Sequence, residues 1–254
     1  MKPAISILMI NRNQGRFIAT AILSVLNQTN QDWELVIIDD ASTDNSAEII
    51  KGFLPNRRLK YFSNPRRLGI GLSRRQSVDL AGADILGILD SDDSLEPEAV
   101  DKMIEAHHRH SAGLIYSQLI VCDQDLRPLA AGRNGPIPAT SSNLLLNRIS
   151  HFATFKRAAY LRTAGYDPTL ALAEDKDLYY KLEEVTDSLF INLPLYHYRR
   201  HRQSASSYGW RRWWALVQQY KVKYKAYRRR LGDPEKKIGL LSLLPQRWRP
   251  TGRD

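Results

Sequence analysis

Three apolar runs of strand length, residues 5–10, 35–38 and 85–89, each stop at a polar cluster, and this rhythm restricts the possible folds most. The first run gives way to Asn11, Arg12 and Asn13. The second ends in Asp39 and Asp40, followed by Ala41, Ser42, Thr43 and Asp44, and the third in Asp90, Ser91, Asp92 and Asp93. Short apolar runs bounded in this way read as buried strands. Helical patterns separate them: Phe17, Ala21, Val25 and Leu26 share one face, Asp44, Asn45 and Ser46 open a second helix carrying Ile49, Ile50 and Phe53, and a third spans about 72–81. Further strand-like runs lie at 59–62, 114–121 and 189–191. Strands alternating with helices predict an α/β fold, a mostly parallel central sheet with helices on both faces. In such sheets ligands bind beyond the carboxyl ends of the strands, where the three polar clusters should emerge.

The third cluster carries the most chemistry. Like charges as close as Asp90, Asp92 and Asp93 raise one another's pKa unless a cation sits among them. Carboxylate oxygens suit Mg²⁺ or Mn²⁺, and Mg²⁺ is often shared between one or two carboxylates and a substrate phosphate. The alternative is an acidic cap for a helix beginning near Glu96, Pro97 and Glu98. In the second cluster a carboxylate can accept the N3–H of a uracil base; Asp40, followed by small residues, reads as a ligand contact, whereas Asp44 reads as a helix cap.

The chain has 254 residues, 43% of them hydrophobic, enough for one large domain with an appendage. Its single cysteine excludes an internal disulfide framework, and Cys122 follows the apolar residues 119–121 as a buried structural thiol would. The first apolar run is too short for a signal-peptide core, and no stretch approaches the ~18 apolar residues of a membrane span. A soluble, cytoplasmic protein is expected. Residues 1–203 hold 24 Lys and Arg against 24 Asp and Glu, while residues 204–254 hold 13 against 3, so the whole net charge of +10 lies in the tail. A basic, aromatic helix over 210–230 should carry Trp213, Trp214, Val217 and Tyr220 or Tyr224 on one side. Arg211, Arg212 and residues 228–230 add cations. Such a helix lies on an anionic membrane surface, peripheral at its inner face, or packs its tryptophans on the main domain.

The second half is less regular. Residues 127–138 read as an exposed loop, 151–165 as a strand entering a helix, and 175–185 as a helix with Leu178 and Leu182 inward. His107, His108 and His110 look like a solvated helix end, and His151 has no evident chemical context. Nucleic acid is not expected as a partner: acids at the strand ends would repel phosphate without a metal, and no recognition motif is present.

Taken in order, these pieces resemble a family 2 glycosyltransferase with the GT-A nucleotide-diphospho-sugar transferase fold. The resemblance runs through residues 5–13, 24–29, 33–44 and 64–75, then residues 89–93 and 173–178, and covers roughly 1–205. It implies a catalytic domain over 1–204, with a nucleotide-binding half at 1–110 and an acceptor-binding half at 111–204, plus a basic helical extension at 205–254. It implies an inverting transfer from a nucleotide-sugar donor, with a UDP-sugar expected, to a glycan or lipid-linked acceptor, assisted by Mn²⁺ or Mg²⁺. Ile10, Asn11, Arg12, Asn13, Asp40, Arg74, Asp90 and Ser91 match donor-binding positions. Asp92 matches the metal-holding aspartate of the DxD motif, and Asp175 the catalytic base. Glu174 and Asp93 fall at acceptor-side or supporting positions. His201 matches a further metal ligand, with His197 as the second choice. Arg75 stands where the family usually has asparagine and Arg12 where an aromatic is common, and the Gln-x-x-Arg-Trp motif of processive synthases is missing. A catalytically inactive sugar-nucleotide binder is the competing expectation.

Overall fold

The computed structural model describes residues 2–202, 204 and 209–232, with the side chains of the last helix described from Trp213 onward. In chain order the elements are β1 (Ile5–Asn11), α1 (Ile18–Leu26), β2 (Trp33–Asp39), α2 (Ser46–Lys51), β3 (Leu59–Ser63), α3 (Ile70–Leu80), β4 (Ile85–Ile88) and β5 (Ser94–Leu95). They continue as α4 (Ala99–Arg109), β6 (Leu114–Cys122), β7 (Pro128–Ala131), α5 (Asn143–Leu146), β8 (Ala153–Lys156), α6 (Arg157–Leu161), α7 (Glu174–Glu183), β9 (Ser188–Arg199) and α8 (Gly209–Leu231).

One sheet runs in the order β3-β2-β1-β4-β8-β6-β9-β5, with β7 paired to β6. Strands β3, β2, β1, β4, β6 and β9 point the same way, and β8, β7 and β5 oppose them. The first three apolar runs are buried throughout because both faces of the sheet are covered. Side chains alternate between two cores. Ile5, Ile7, Met9, Leu35 and Ile37 pack with Ile18, Ile22 and Val25 of α1 and Val100 and Met103 of α4. Leu8, Ile10, Val36 and Ile38 pack with Val78 of α3, Tyr160 of α6, and Leu178 and Leu182 of α7. The position expected to divide the two halves, residue 110, therefore falls between α4 and β6 within one continuous sheet.

From β1 the chain moves outward to β2 and β3, then returns to place β4 on the other side of β1. This reversal opens a crevice beyond the ends of β1 and β4. Helix α8 packs on α7 and α5, where Val222 and Ala226 meet Leu144, Leu170 and Tyr180. Residues 233–254, and the side chains of Arg211 and Arg212, lie outside the described residues. Among the described residues no helix is long and apolar enough to cross a membrane.

Two sequence expectations change here. His107 does not belong to a solvated helix end: it is buried, and its Nε2 lies 2.9 Å from Thr154 Oγ1, while His108 and His110 stay exposed. Burial pushes the His107 imidazole down to about 3, with smaller help from the charges of Lys156 and His108. The Asp90–Asp93 cluster is not a helix cap, since β5 intervenes and α4 begins only at Ala99.

Candidate active site

Loops at the ends of β1 and β2 are laced together. Asn11 Nδ2 donates to Asp39 Oδ1 at 2.8 Å and to Ser42 Oγ at 3.0 Å, and Asn13 Oδ1 accepts the Thr43 N–H at 2.8 Å. Arg12 Nη1 donates to the Asp40 and Ala41 carbonyls at 2.6 and 2.9 Å. Asn13 (φ 54°), Ala41 (φ 56°) and Ala173, just before α7 (φ 62°), all hold left-handed backbone. An alanine in that region costs ~1–2 kcal/mol, and such strain gathers where loop shape is dictated by something other than stability.

Asp40 anchors the approach to α3. Its Oδ1 accepts the Leu68 N–H at 2.7 Å and Asn64 Nδ2 at 3.2 Å, and its Oδ2 accepts the Gly69 N–H at 2.9 Å. A carboxylate offers about four acceptor positions, so Oδ2 keeps capacity for one more donor. Asp44 behaves as a cap: Oδ1 accepts the Ser46 N–H at the start of α2, and Oδ2 the Gly15 N–H. Ile10 points into the core, and Ser91 is buried beside the acids.

Asp90, Asp92 and Asp93 each present an oxygen within 4.8 Å of the others. Their environments differ. Asp93 faces inward, accepting the Tyr196 O–H at 2.6 Å and the Arg199 N–H at 2.7 Å. Burial, then the charges of Asp92 and Asp90, push its carboxyl well above the usual range. Asp92 Oδ2 lies 2.8 Å from His201 Nε2, whose ring packs on Phe17. Burial would raise Asp90, but the charges of His151 and Arg74 hold its carboxyl low. A hard divalent cation fits this set: oxygen donors of one sign at short range, with an imidazole that Mn²⁺ also accepts. His197 is elsewhere. Alternation along β9 turns it to Glu96, 2.7 Å away, while Tyr196 and Tyr198 face His151.

Arg74 joins the acids to α7. It is fully buried; its Nη2 meets Asp90 Oδ1 at 2.5 Å, its Nη1 donates to the Leu8 carbonyl at 3.3 Å, and its Nε lies 3.6 Å from Glu174 Oε1. Burial and the adjacent Asp175 raise the Glu174 carboxyl to about 7, Arg74 opposing them. Asp175 sits one residue on, half-buried in the first turn of α7, and among the described residues no hydrogen bond reaches its carboxylate. Arg75 binds the Tyr166 and Ala164 carbonyls at 2.5 and 3.0 Å, a structural tie rather than a crevice contact.

His151 is the residue the sequence concealed. Its Nε2 lies 3.4 Å from Asp90 Oδ2, its ring stacks on Tyr196 at 5.2 Å, and its buried Nδ1 has no partner among the described residues. Tyr196 and Arg199 were hidden too. The Tyr196 hydroxyl accepts the Asp90 N–H, and Arg199 Nε donates to the Asp92 carbonyl at 2.6 Å. Their position in a segment ending at His201 was the one available signal.

Residues 6–165 match the sequence model of the glycosyl transferase family 2. Chondroitin synthase of Escherichia coli is 31% identical over 205 residues, covering 80% of this chain. The chain spans only 30% of that enzyme's length. Among solved structures, Staphylococcus aureus TarS residues 1–349 superpose with a TM-score of 0.75 at 17% identity, over 95% of this chain and 69% of that one. A mannosyltransferase from Pyrobaculum calidifontis, solved with GDP-Man and Mn²⁺, gives 0.67 at 14% identity, over 95% and 75%. At those identities the structural likeness speaks for the fold alone.

Proposed function

Because the chain belongs to glycosyl transferase family 2, we propose that it moves a sugar from a nucleotide diphosphate donor, a UDP-sugar, to a hydroxyl of a glycan or lipid-linked acceptor. The observation that carries this is Arg74, which ties the strand-end acids to the helix start bearing Glu174 and Asp175. In this reading the donor-side and acceptor-side groups face one crevice. The E. coli relative's name points to polysaccharide synthesis, and a TarS complex solved with UDP-GlcNAc points to a UDP-sugar.

In this proposal Asn11, Arg12, Asn13 and Asp40 shape the base pocket, Asp40 offering its remaining acceptor position to the base. Asp90 and Ser91 border the ribose and diphosphate, with Arg74 fixing Asp90. Asp92 and His201 are the residues that would hold Mn²⁺ or Mg²⁺, and Asp93 braces them from below through Tyr196 and Arg199. When bound, the ion supplies charge neutralisation for the departing diphosphate. Asp175 takes the proton of the acceptor hydroxyl as that oxygen bonds to the anomeric carbon. The carbon–oxygen bond to the diphosphate breaks in the same displacement, so the nucleoside diphosphate leaves and the configuration inverts. Glu174, neutral below about pH 7, spares Asp175 a second negative neighbour at that moment. The basic extension, 205–254, meets an anionic membrane surface from the cytoplasmic side, where lipid-linked acceptors are presented.

General-base help contributes ~10²–10⁴ in rate. Asp175→Asn is therefore expected to lower transfer by about that factor while leaving Mn²⁺-dependent UDP-sugar binding, measured by calorimetry, unchanged. Loss of donor binding instead would remove Asp175 from the base role. Absence of any turnover by the wild type across nucleotide sugars would make the chain a binder rather than a transferase.

A further inference from the structure

Helix α8 has two opposed faces. Ala215, Gln218, Val222, Ala226 and Arg230 recur every three or four residues and are buried against the domain. The opposite stripe carries Trp213, Tyr220 and Tyr224, which are 64%, 72% and 61% exposed, flanked by exposed Leu216 and Tyr227. A helix at the edge of a soluble domain normally turns polar residues outward; this one turns out its largest aromatics. Trp213 and Trp214 are 64% and 40% exposed, so neither is buried on the main domain as one of the two arrangements read from the sequence would have it.

The charges are sorted in the same way. Lys225 binds Asp167 at 2.7 Å, Arg229 binds Glu184 at 3.1 Å, and Arg230 binds Glu183 at 2.6 Å. These pairs fasten α8 to α7 and to the loop before it. Lys221 and Arg228 remain exposed along the border of the aromatic stripe, and residues 213–232 contain no acid at all.

We propose that this outward face of α8 docks on the surface of an anionic lipid bilayer, the aromatic rings seated at the headgroup level and Lys221 and Arg228 meeting lipid phosphates. Tyr and Trp suit that layer because each has an apolar body and a polar tip, and basic amphipathic helices lie in it. A second copy of the chain suits the face poorly. Two such stripes brought together would oppose like charges with no carboxylate between them. The location is apt as well: Lys223 of α8 lies close enough to Lys176, the residue after Asp175, for their charges to interact. Docking there would hold the acceptor side of the crevice near the membrane. The proposal extends the lipid-linked acceptor reading above and rests on it only for purpose, since vesicle binding and sugar transfer are measured separately.

The test uses the full chain with sedimenting vesicles of phosphatidylcholine, with and without about one-third phosphatidylglycerol. Wild-type protein should bind the anionic vesicles and release from them as salt rises, because each cation near such a surface contributes about fivefold. The variant Trp213→Ser/Tyr220→Ser/Tyr224→Ser should bind at least tenfold more weakly, with unchanged thermal unfolding and unchanged turnover of nucleotide sugar without lipid. Lys221→Glu/Arg228→Glu should lose binding while keeping every aromatic ring. The proposal is overturned if wild-type protein ignores anionic vesicles, or if the triple variant binds them as well as wild type. It is equally overturned if wild type is a dimer by light scattering that the triple variant makes monomeric without any vesicle binding in either. Vesicle binding without transferase turnover would leave docking intact and sink the proposed reaction.

Discussion

Replacing Arg74 with methionine tests the central connection of the site. Among the described residues the guanidinium is the one cation paired with both Asp90 and Glu174, and it also satisfies the Leu8 carbonyl. Methionine keeps much of the volume and none of the charge. Removing one partner of a buried ion pair costs ~3–5 kcal/mol, because the remaining charge stays in place without compensation. At ~2–4 °C per kcal/mol for a chain of this size, Tm should fall by roughly 6–20 °C. Glu174→Gln in the same background removes one of the two abandoned carboxyls, so the Arg74→Met penalty should shrink by ~1–3 kcal/mol. The pH dependence has a definite sign. Glu174 already titrates at about 7 in the folded chain, above its ordinary 4.5, so the folded state binds the extra proton. Its contribution is greatest below 4.5 and declines as pH rises through 7. Without Arg74 that carboxyl rises further, so the variant's penalty should be smallest at about pH 5.5 and largest near pH 8. Urea unfolding, followed by tryptophan fluorescence in metal-free buffer, measures all four proteins of the cycle. A penalty below ~1 kcal/mol, or one that Glu174→Gln leaves unaltered, would refute the bridge.

His107 supplies a second pH test of opposite sign. Its folded value of about 3 lies below the ordinary 6.5, so the unfolded chain takes the proton first and stability falls as pH drops below 6.5. Between about pH 7.5 and 4.5, wild type should lose ~2–3 kcal/mol more than His107→Gln; equal losses in urea unfolding would show that the ring is not held neutral. His151→Phe preserves the ring stack on Tyr196 but deletes the nitrogen beside Asp90. Metal-dependent donor affinity should weaken ~10–100-fold, the usual cost of losing an outer-shell partner of a metal-holding group, with Tm little changed; an unchanged Kd would make His151 packing alone.

Local pattern carried much of the fold. The runs at 5–10, 35–38 and 85–89 have enough contiguous apolar area that burial on both faces of a sheet is their sole stable outcome, and they became β1, β2 and β4. The polar clusters behind them had to emerge at the strand ends, because a parallel strand cannot carry Asp90, Asp92 and Asp93 into the core. Side-chain partners across the chain were another matter. Nothing near residue 151 signals a neighbour at residue 90, and the pairing follows from β8 lying antiparallel beside β4. His107 reads as surface in a run of polar residues, yet the register of α4 against β8 turns it onto Thr154.

The sequence by itself determined the layered α/β architecture, the family and the gathering of carboxylates at the sheet edge, since each depends on apolar periodicity or on residues adjacent in the chain. Tertiary structure alone decided which cation bridges Asp90 to Glu174, which histidine stands beside Asp90, and which face of α8 is left to the solvent. Those outcomes depend on elements scores of residues apart meeting in one register, and no local pattern encodes that meeting.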